Sequence, residues 1–298
     1  MSQTRTDAGD HASSESVASR NRGDLGRRSA STAIIVPITV AAVWAGGPWL
    51  AALLAAAAAI GGYELAGLAS RAGTRPMTPI AIAWSVGLVV ATHVHVTGHS
   101  LTVTVLPVLI AGAAASVVAF PFAGMDGTGR GVTRAARDYV ATAGSALVAG
   151  GLLSFGLLLR GLTDGNEWAV AMLLVIAAAD MGGYAVGLPF GKHKIATAIS
   201  PAKSWEGAAG GLAAAIGISI ATTAVFDLPV STLQAAGLGA LLWAGALSGD
   251  FAESGLKRRA GAKDSGGLIP GHGGVFDRLD SIVLNLVLTY YFVLWVAA

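Results

Sequence analysis

The stretch SGDFAESGLKRRAGAKDSGGLIPGHGGVFDRLDS (248–281) sets carboxylates, bases and glycines close together. Read as a helix, its first part puts Asp250, Glu253, Ser254 and Lys257 on one face, at i, i+3, i+4 and i+7. Asp277, Asp280 and Ser281 repeat that spacing where the next helix begins. Two helices joined by a glycine-rich loop would aim Asp250, Glu253, Asp277 and Asp280 at a shared space. Like charges that close repel unless a cation lies between them. Oxygen ligands in a chain without cysteine suit Mg²⁺, which takes one or two carboxylates plus phosphate oxygens. Lys257, Arg258, Lys263 and Arg278 suit an anionic substrate, and arginine forks onto phosphate. Gly271, Gly273 and Gly274 flank His272 and allow backbone amides to approach that anion.

A second segment reads DMGGYAVGLPFGKHK, then ISPAKSWEG (180–207). Asp180, Tyr184 and Gly187 share a helix face, and an intramembrane aspartate is a functional candidate by default; a hydrogen bond to a neighbouring span is the plainer alternative. Ser200 and Pro201 predict a helix start with proline in its first turn. That places Lys203 and Ser204 where a phosphate docks at a helix N-terminus. Trp205 reads as an interfacial anchor. His193 and His272 lack the paired spacing of a zinc site, and His93, His95 and His99 cluster at the opposite end of the spans. Glu64 has no partner in the local sequence; Arg71 and Arg75 are both candidates, and Arg71→Ala is expected to do little.

These residues need a scaffold, and the composition supplies one. Of 298 residues 54% are hydrophobic and 12% charged, against about 25% charged in soluble domains. Long apolar blocks rich in Ala and Gly predict an all-α, polytopic integral membrane protein with about nine transmembrane helices. The spans are expected near 31–46, 48–69, 78–97, 101–122, 140–160, 168–190, 206–226, 231–249 and 281–297. Residues 1–30 are too polar to bury a core and are expected to form a disordered cytoplasmic tail rather than a secretory signal, leaving 31–298 as the transmembrane domain. With the N-terminus inside, Arg160 alone of 19 basic residues falls outside. The candidate chemistry then faces the cytoplasm from a multi-pass protein of the cell membrane. The absence of cysteine excludes disulfides and thiolate chemistry.

The pattern Ser254, Lys257, Arg258, Lys263, Asp264, Pro270, Gly271, His272, Gly273, Gly274, Asp277, Arg278 and Asp280 resembles the signature of the phosphatidate cytidylyltransferases, the CDP-diacylglycerol synthases. The segment from Asp180 to Gly207 resembles two further stretches of that family, with Gly183 in place of the usual alanine, Ala202 in place of lysine and Ser204 in place of threonine. The motifs cover roughly the last 120 residues; the N-terminal half matches only in being hydrophobic, apart from the Tyr63-Glu64-Leu65 stretch. The resemblance implies transfer of CMP from CTP to phosphatidate in the inner leaflet, with Mg²⁺ as cofactor and room for a second, monovalent cation such as K⁺. It favours Asp250 and Asp277 as metal ligands with Glu253 beside them, and Asp280 and Lys257 as further catalytic groups. Ser200, Lys203, Ser204, Ser254, Arg258, Lys263, His272, Gly273, Gly274, Arg278 and Asp180 would hold or shape the substrates. It also suggests a homodimer, which the glycine faces at Gly207, Gly210, Gly211 and Gly217 would permit within one chain or between two; no nucleic-acid partner is expected. Two other readings compete: a cation-coupled carrier, disfavoured because no inverted repeat is visible, and the same chemistry on another lipid phosphate.

Overall fold

The computed structural model describes residues 37–118, 132–268 and 273–297. The expected tail, and Pro270, Gly271 and His272 of the motif, lie outside them. The elements among these described residues are helices and one small hairpin. Residues 37–45 form α1, followed by α2 (Gly47–Arg71), α3 (Thr78–Val96) and α4 (Leu101–Val118). Next come α5 (Val132–Ala146), a π-helical turn (Leu147–Leu152) and α6 (Leu153–Arg160), which together run as one span. Then follow α7 (Gly165–Phe190), the strands β1 (Lys194–Ala196) and β2 (Ser200–Ser204), α8 (Trp205–Val225), α9 (Thr232–Arg259) and α10 (Asp280–Phe292). Among the described residues seven helices are long and apolar enough to cross a membrane, and an eighth apolar helix, Asp280–Val296, is shorter. Every expected span has a helix within the described residues, α1 covering only part of its segment.

Local sequence explains the breaks. Gly46 and Gly47, at φ 62° and 48°, turn the chain between α1 and α2 in a one-residue connection, and Pro48 suits the first turn that follows. Arg160 closes this end by donating from Nε to the Val43 carbonyl at 3.1 Å, which gives this base a structural use. Ser231 and Gln234 form a capping box that starts α9. The π-turn falls where α5–α6 crosses α3: a β-carbon at Gly150 would run into the Ser85 backbone.

The core is built from Leu153, Leu159, Trp168, Val175, Leu238 and Leu242, all nearly inaccessible. The helices α7 and α8 meet backbone to backbone. A β-carbon at Gly182 would lie 2.8 Å from the Gly210 carbonyl, and one at Gly207 2.9 Å from that of Gly183. Without a hydrophobic drive between helices in lipid, such close packing is what holds them together. Gly207, Gly210 and Gly211 therefore serve contacts within the chain, while Gly217 faces open space.

One expectation is corrected here. Ser200 and Pro201 do not open a helix: Ser200–Ser204 is a strand paired antiparallel with Lys194–Ala196. A two-stranded hairpin tolerates proline because an edge strand leaves amides unpaired. The helix starts at Trp205, capped by Ser204, whose Oγ accepts from the Gly207 amide at 3.2 Å.

Candidate active site

By the alternation of the spans, the C-terminal ends of α2, α7 and α9 gather at one end of the bundle with the N-terminal ends of α3, α8 and α10. The last turns of α9 carry Asp250, Glu253 and Lys257, as the helical spacing predicts. A β-carbon at Gly249 would strike the backbone carbonyl of Asp280, so α9 and α10 approach there without spacing side chains. That contact brings Asp250 beside Asp280. One carboxylate oxygen each from Asp250, Glu253 and Asp280 lie within 4.8 Å of one another. They line a polar cavity of about 320 Å³ together with Asp180, Lys257, Asp264, Asp277 and Arg278.

Bases flank these acids. Lys203, from β2, pairs with Asp250 Oδ2 and sits over the Phe251 ring, 4.6 Å from its centroid. Lys257 bridges Glu253 Oε2 (2.7 Å) and Asp277 Oδ1 (2.9 Å). Asp280 Oδ1 accepts from the Ser281 amide at 2.7 Å. Glu253 Oε1 is buried and has no hydrogen-bond partner. A buried acceptor left unpaired is costly, and a cation among three carboxylates would satisfy it. Hard oxygen donors in this number fit Mg²⁺.

Asp277 is held from the loop side of this cavity. It lines the cavity, but its oxygens accept from the Gly274 amide (2.7 Å), the Ser265 amide (2.9 and 3.1 Å) and Lys257. Burial alone would raise its pKa, yet the neighbouring Glu253 and Lys257 side chains and the Gly274 and Ser265 amides hold it down to about 2. The carboxylate that stands with Asp250 and Glu253 is Asp280, one helical turn further on. The Gly274 amide, expected to face an anion, is taken by Asp277, and Gly273, at φ 80°, lets the loop turn tightly over that carboxylate.

Glu64, without a partner in the local sequence, turns out to hold this loop. It is 3% exposed. Oε2 accepts from Ser265 Oγ (3.1 Å) and the Phe276 amide (2.8 Å), and Oε1 from the Val275 amide (3.1 Å). Among the described residues no ion pair joins Glu64 to Arg71 or Arg75; the Arg75 amide donates to Asp138 Oδ1. Ser265, absent from the expected site, links Glu64 to Asp277. The signals for Glu64 were a carboxylate alone in an apolar span and the likeness of the Tyr63-Glu64-Leu65 stretch to the family.

The other expected residues spread around this centre. Asp180 lines the polar cavity and also a second one of about 520 Å³, which it shares with Asp250. That second cavity is lined by Lys203, Ser204 and Lys194 and by apolar groups including Leu188, Trp243 and Leu247. Ser200 lies at the far end of the hairpin, paired with Ala196. Arg258 is exposed and donates from Nε to the Ile199 carbonyl at 3.3 Å, joining α9 to the hairpin. Ser254 is half-buried and lines none of these cavities. Lys263 faces a third cavity. At the opposite end, His95 and His99 direct their Nδ1 atoms at backbone carbonyls, which accounts for two of that cluster.

Fold and site together define a polytopic helical membrane protein with a carboxylate–lysine centre at one end of its bundle. The chain belongs to the cytidylyltransferase family, whose profile matches residues 26–296. It is 46% identical over 134 residues to the phosphatidate cytidylyltransferase of Mycobacterium bovis, covering 45% of this chain and 44% of that relative. It is 40% identical over 157 residues to the enzyme of that name from Pseudomonas aeruginosa (49% and 58%). Over 133 residues it is 40% identical to phosphatidate cytidylyltransferase 5, chloroplastic, of Arabidopsis thaliana (43% and 33%). The matched segments thus span between a third and three fifths of these relatives.

Proposed function

We propose that this protein transfers CMP from CTP to phosphatidate, giving CDP-diacylglycerol and pyrophosphate. A phosphatidate oxygen attacks the α-phosphorus of CTP, the bond to the β-phosphate oxygen breaks, and pyrophosphate leaves with that electron pair. The attacking phosphate is already an anion at neutral pH, so no strong general base is required. The difficulty is bringing two anions together, and the work is charge neutralisation and alignment.

The observation that carries this reading is the junction of two cavities at Asp180 and Asp250, one polar and ringed by carboxylates, the other lined by Lys194 and Lys203 together with apolar side chains. Asp250, Glu253 and Asp280 would hold Mg²⁺, which when bound supplies positive charge to the triphosphate. Lys257 is held by Glu253 and Asp277 at the rim of the same cavity, where it and Arg278 would meet phosphate oxygens. Lys203 stands at the junction, placed to hold the lipid phosphate while Trp243 and Leu247 face its chains. A second, monovalent cation and a homodimer belong to the same reading. So does a cytoplasmic position for the site, supported by the basic residues gathered at that end.

The test is direct. Purified protein in detergent is given phosphatidate micelles and labelled CTP, with and without Mg²⁺. Metal-dependent CDP-diacylglycerol is the expected product. Product from a different lipid phosphate alone would change the substrate, and no transfer by folded protein would sink the reading.

A further inference from the structure

The third cavity, about 1080 Å³, lies between α2, the start of α3 and loop residues 262–268. It shares only Asp264 with the carboxylate cavity and nothing with the cavity around Lys203. Of its lining, only Lys263 is among the residues that the family resemblance assigns to the substrates.

Its charges are set up for an anion. Arg71 and Lys263 both line it, and neither has an ion pair or hydrogen bond among the described residues. Of the acids in its lining, Glu64 is occupied by its three donors, and Asp264 lines the carboxylate cavity as well, which sets two cations against one exposed carboxylate.

Depth gives the cavity a direction. Arg71 is the last residue of α2, and Ile60, eleven residues earlier, lies about 16 Å deeper at the rise of a helix. Ala59, Ile60 and Ile82 form the deep wall and Tyr63 stands between. Two cations at the rim over an apolar floor match a phospholipid, phosphate at the interface and chain toward the bilayer centre. A free phosphate would leave that floor unused.

We propose that this cavity binds an anionic phospholipid by its phosphate, between Arg71 and Lys263, as a resident ligand separate from the lipid that reacts. Its wall includes Ser265, which both Glu64 and Asp277 grip. A lipid seated there therefore braces the loop that holds Asp277.

Phosphatidylglycerol is the right probe, because a phosphodiester offers no monoester to accept CMP. The full-length protein is equilibrated with equal phosphatidylglycerol and phosphatidylcholine, and retained lipid is counted by native mass spectrometry. Wild type should retain phosphatidylglycerol selectively. Arg71→Ala should weaken retention about tenfold, as expected for one lost charge-assisted hydrogen bond, while Arg71→Lys keeps most of it; unchanged melting confirms that the variants are folded. Equal retention by Arg71→Ala overturns the proposal, as does equal retention of phosphatidylcholine. Displacement of the lipid by millimolar inorganic phosphate would show a free-phosphate site instead. The readout is lipid, not turnover, so it stands apart from the fate of the reaction proposed above.

Discussion

Replacing Glu64 by glutamine tests whether a residue in the first third of the chain organises the site. Glu64 accepts from Ser265 Oγ, the Val275 amide and the Phe276 amide at 2.8 to 3.1 Å, with 3% of its surface exposed. Glutamine keeps the shape and one acceptor oxygen but turns an NH₂ toward a donor. At least one buried donor is then unpaired, at a cost of roughly 1–3 kcal/mol. Taking about 2 kcal/mol, the loop opens on the order of 30 times more often. Hydrogen exchange read by mass spectrometry should show that increase in peptides covering 273–279, with α7 and α8 unchanged. CMP transfer should fall in step, because the displaced loop carries Asp277. Unchanged exchange in 273–279 would refute the clamp, and changed exchange with full activity would refute its bearing on catalysis.

Asp277→Asn should abolish nearly all transfer while the protein remains inserted and folded, since an amide cannot accept from the Gly274 and Ser265 amides and Lys257 together; assays on reconstituted protein check it. Asp280→Asn should raise the Mg²⁺ concentration needed for half-maximal activity at least tenfold, read from metal titrations, whereas an unchanged requirement would remove Asp280 from the metal group. Lys203→Met should raise the KM for phosphatidate more than that for CTP. Gly182→Val would drive a side chain against the Gly210 carbonyl and Ala214, costing about 1–3 kcal/mol and lowering the melting temperature in detergent.

The spans were legible because length and apolar content are local properties, and α9 was legible because Asp250, Glu253 and Lys257 keep a helical period. The hairpin was not: Ser-Pro reads as a helix start, and only pairing with Lys194–Ala196 makes it a strand. The choice between Asp277 and Asp280 was out of reach for a related reason. Both fit the spacing, and what separates them is the close approach of Gly249 to Asp280 and the capture of Asp277 by loop amides. Glu64 and Ser265 are 201 residues apart in sequence, and no local pattern joins them.

The backbone seam between α7 and α8 bears on tolerance. Where glycine meets glycine there are no rotamers to change, so the wall that Gly183, Gly187, Gly207 and Gly211 give to the cavity beside Asp180 is rigid. Adaptation to bound molecules of different girth falls to the side chains around it, Tyr184 and Leu188 on one flank and Trp243 and Leu247 on the other. Breadth of ligand choice in this protein is thus a property of a few movable groups set against a fixed surface, and altering Trp243 or Leu247 is the way to retune it without disturbing the charged centre.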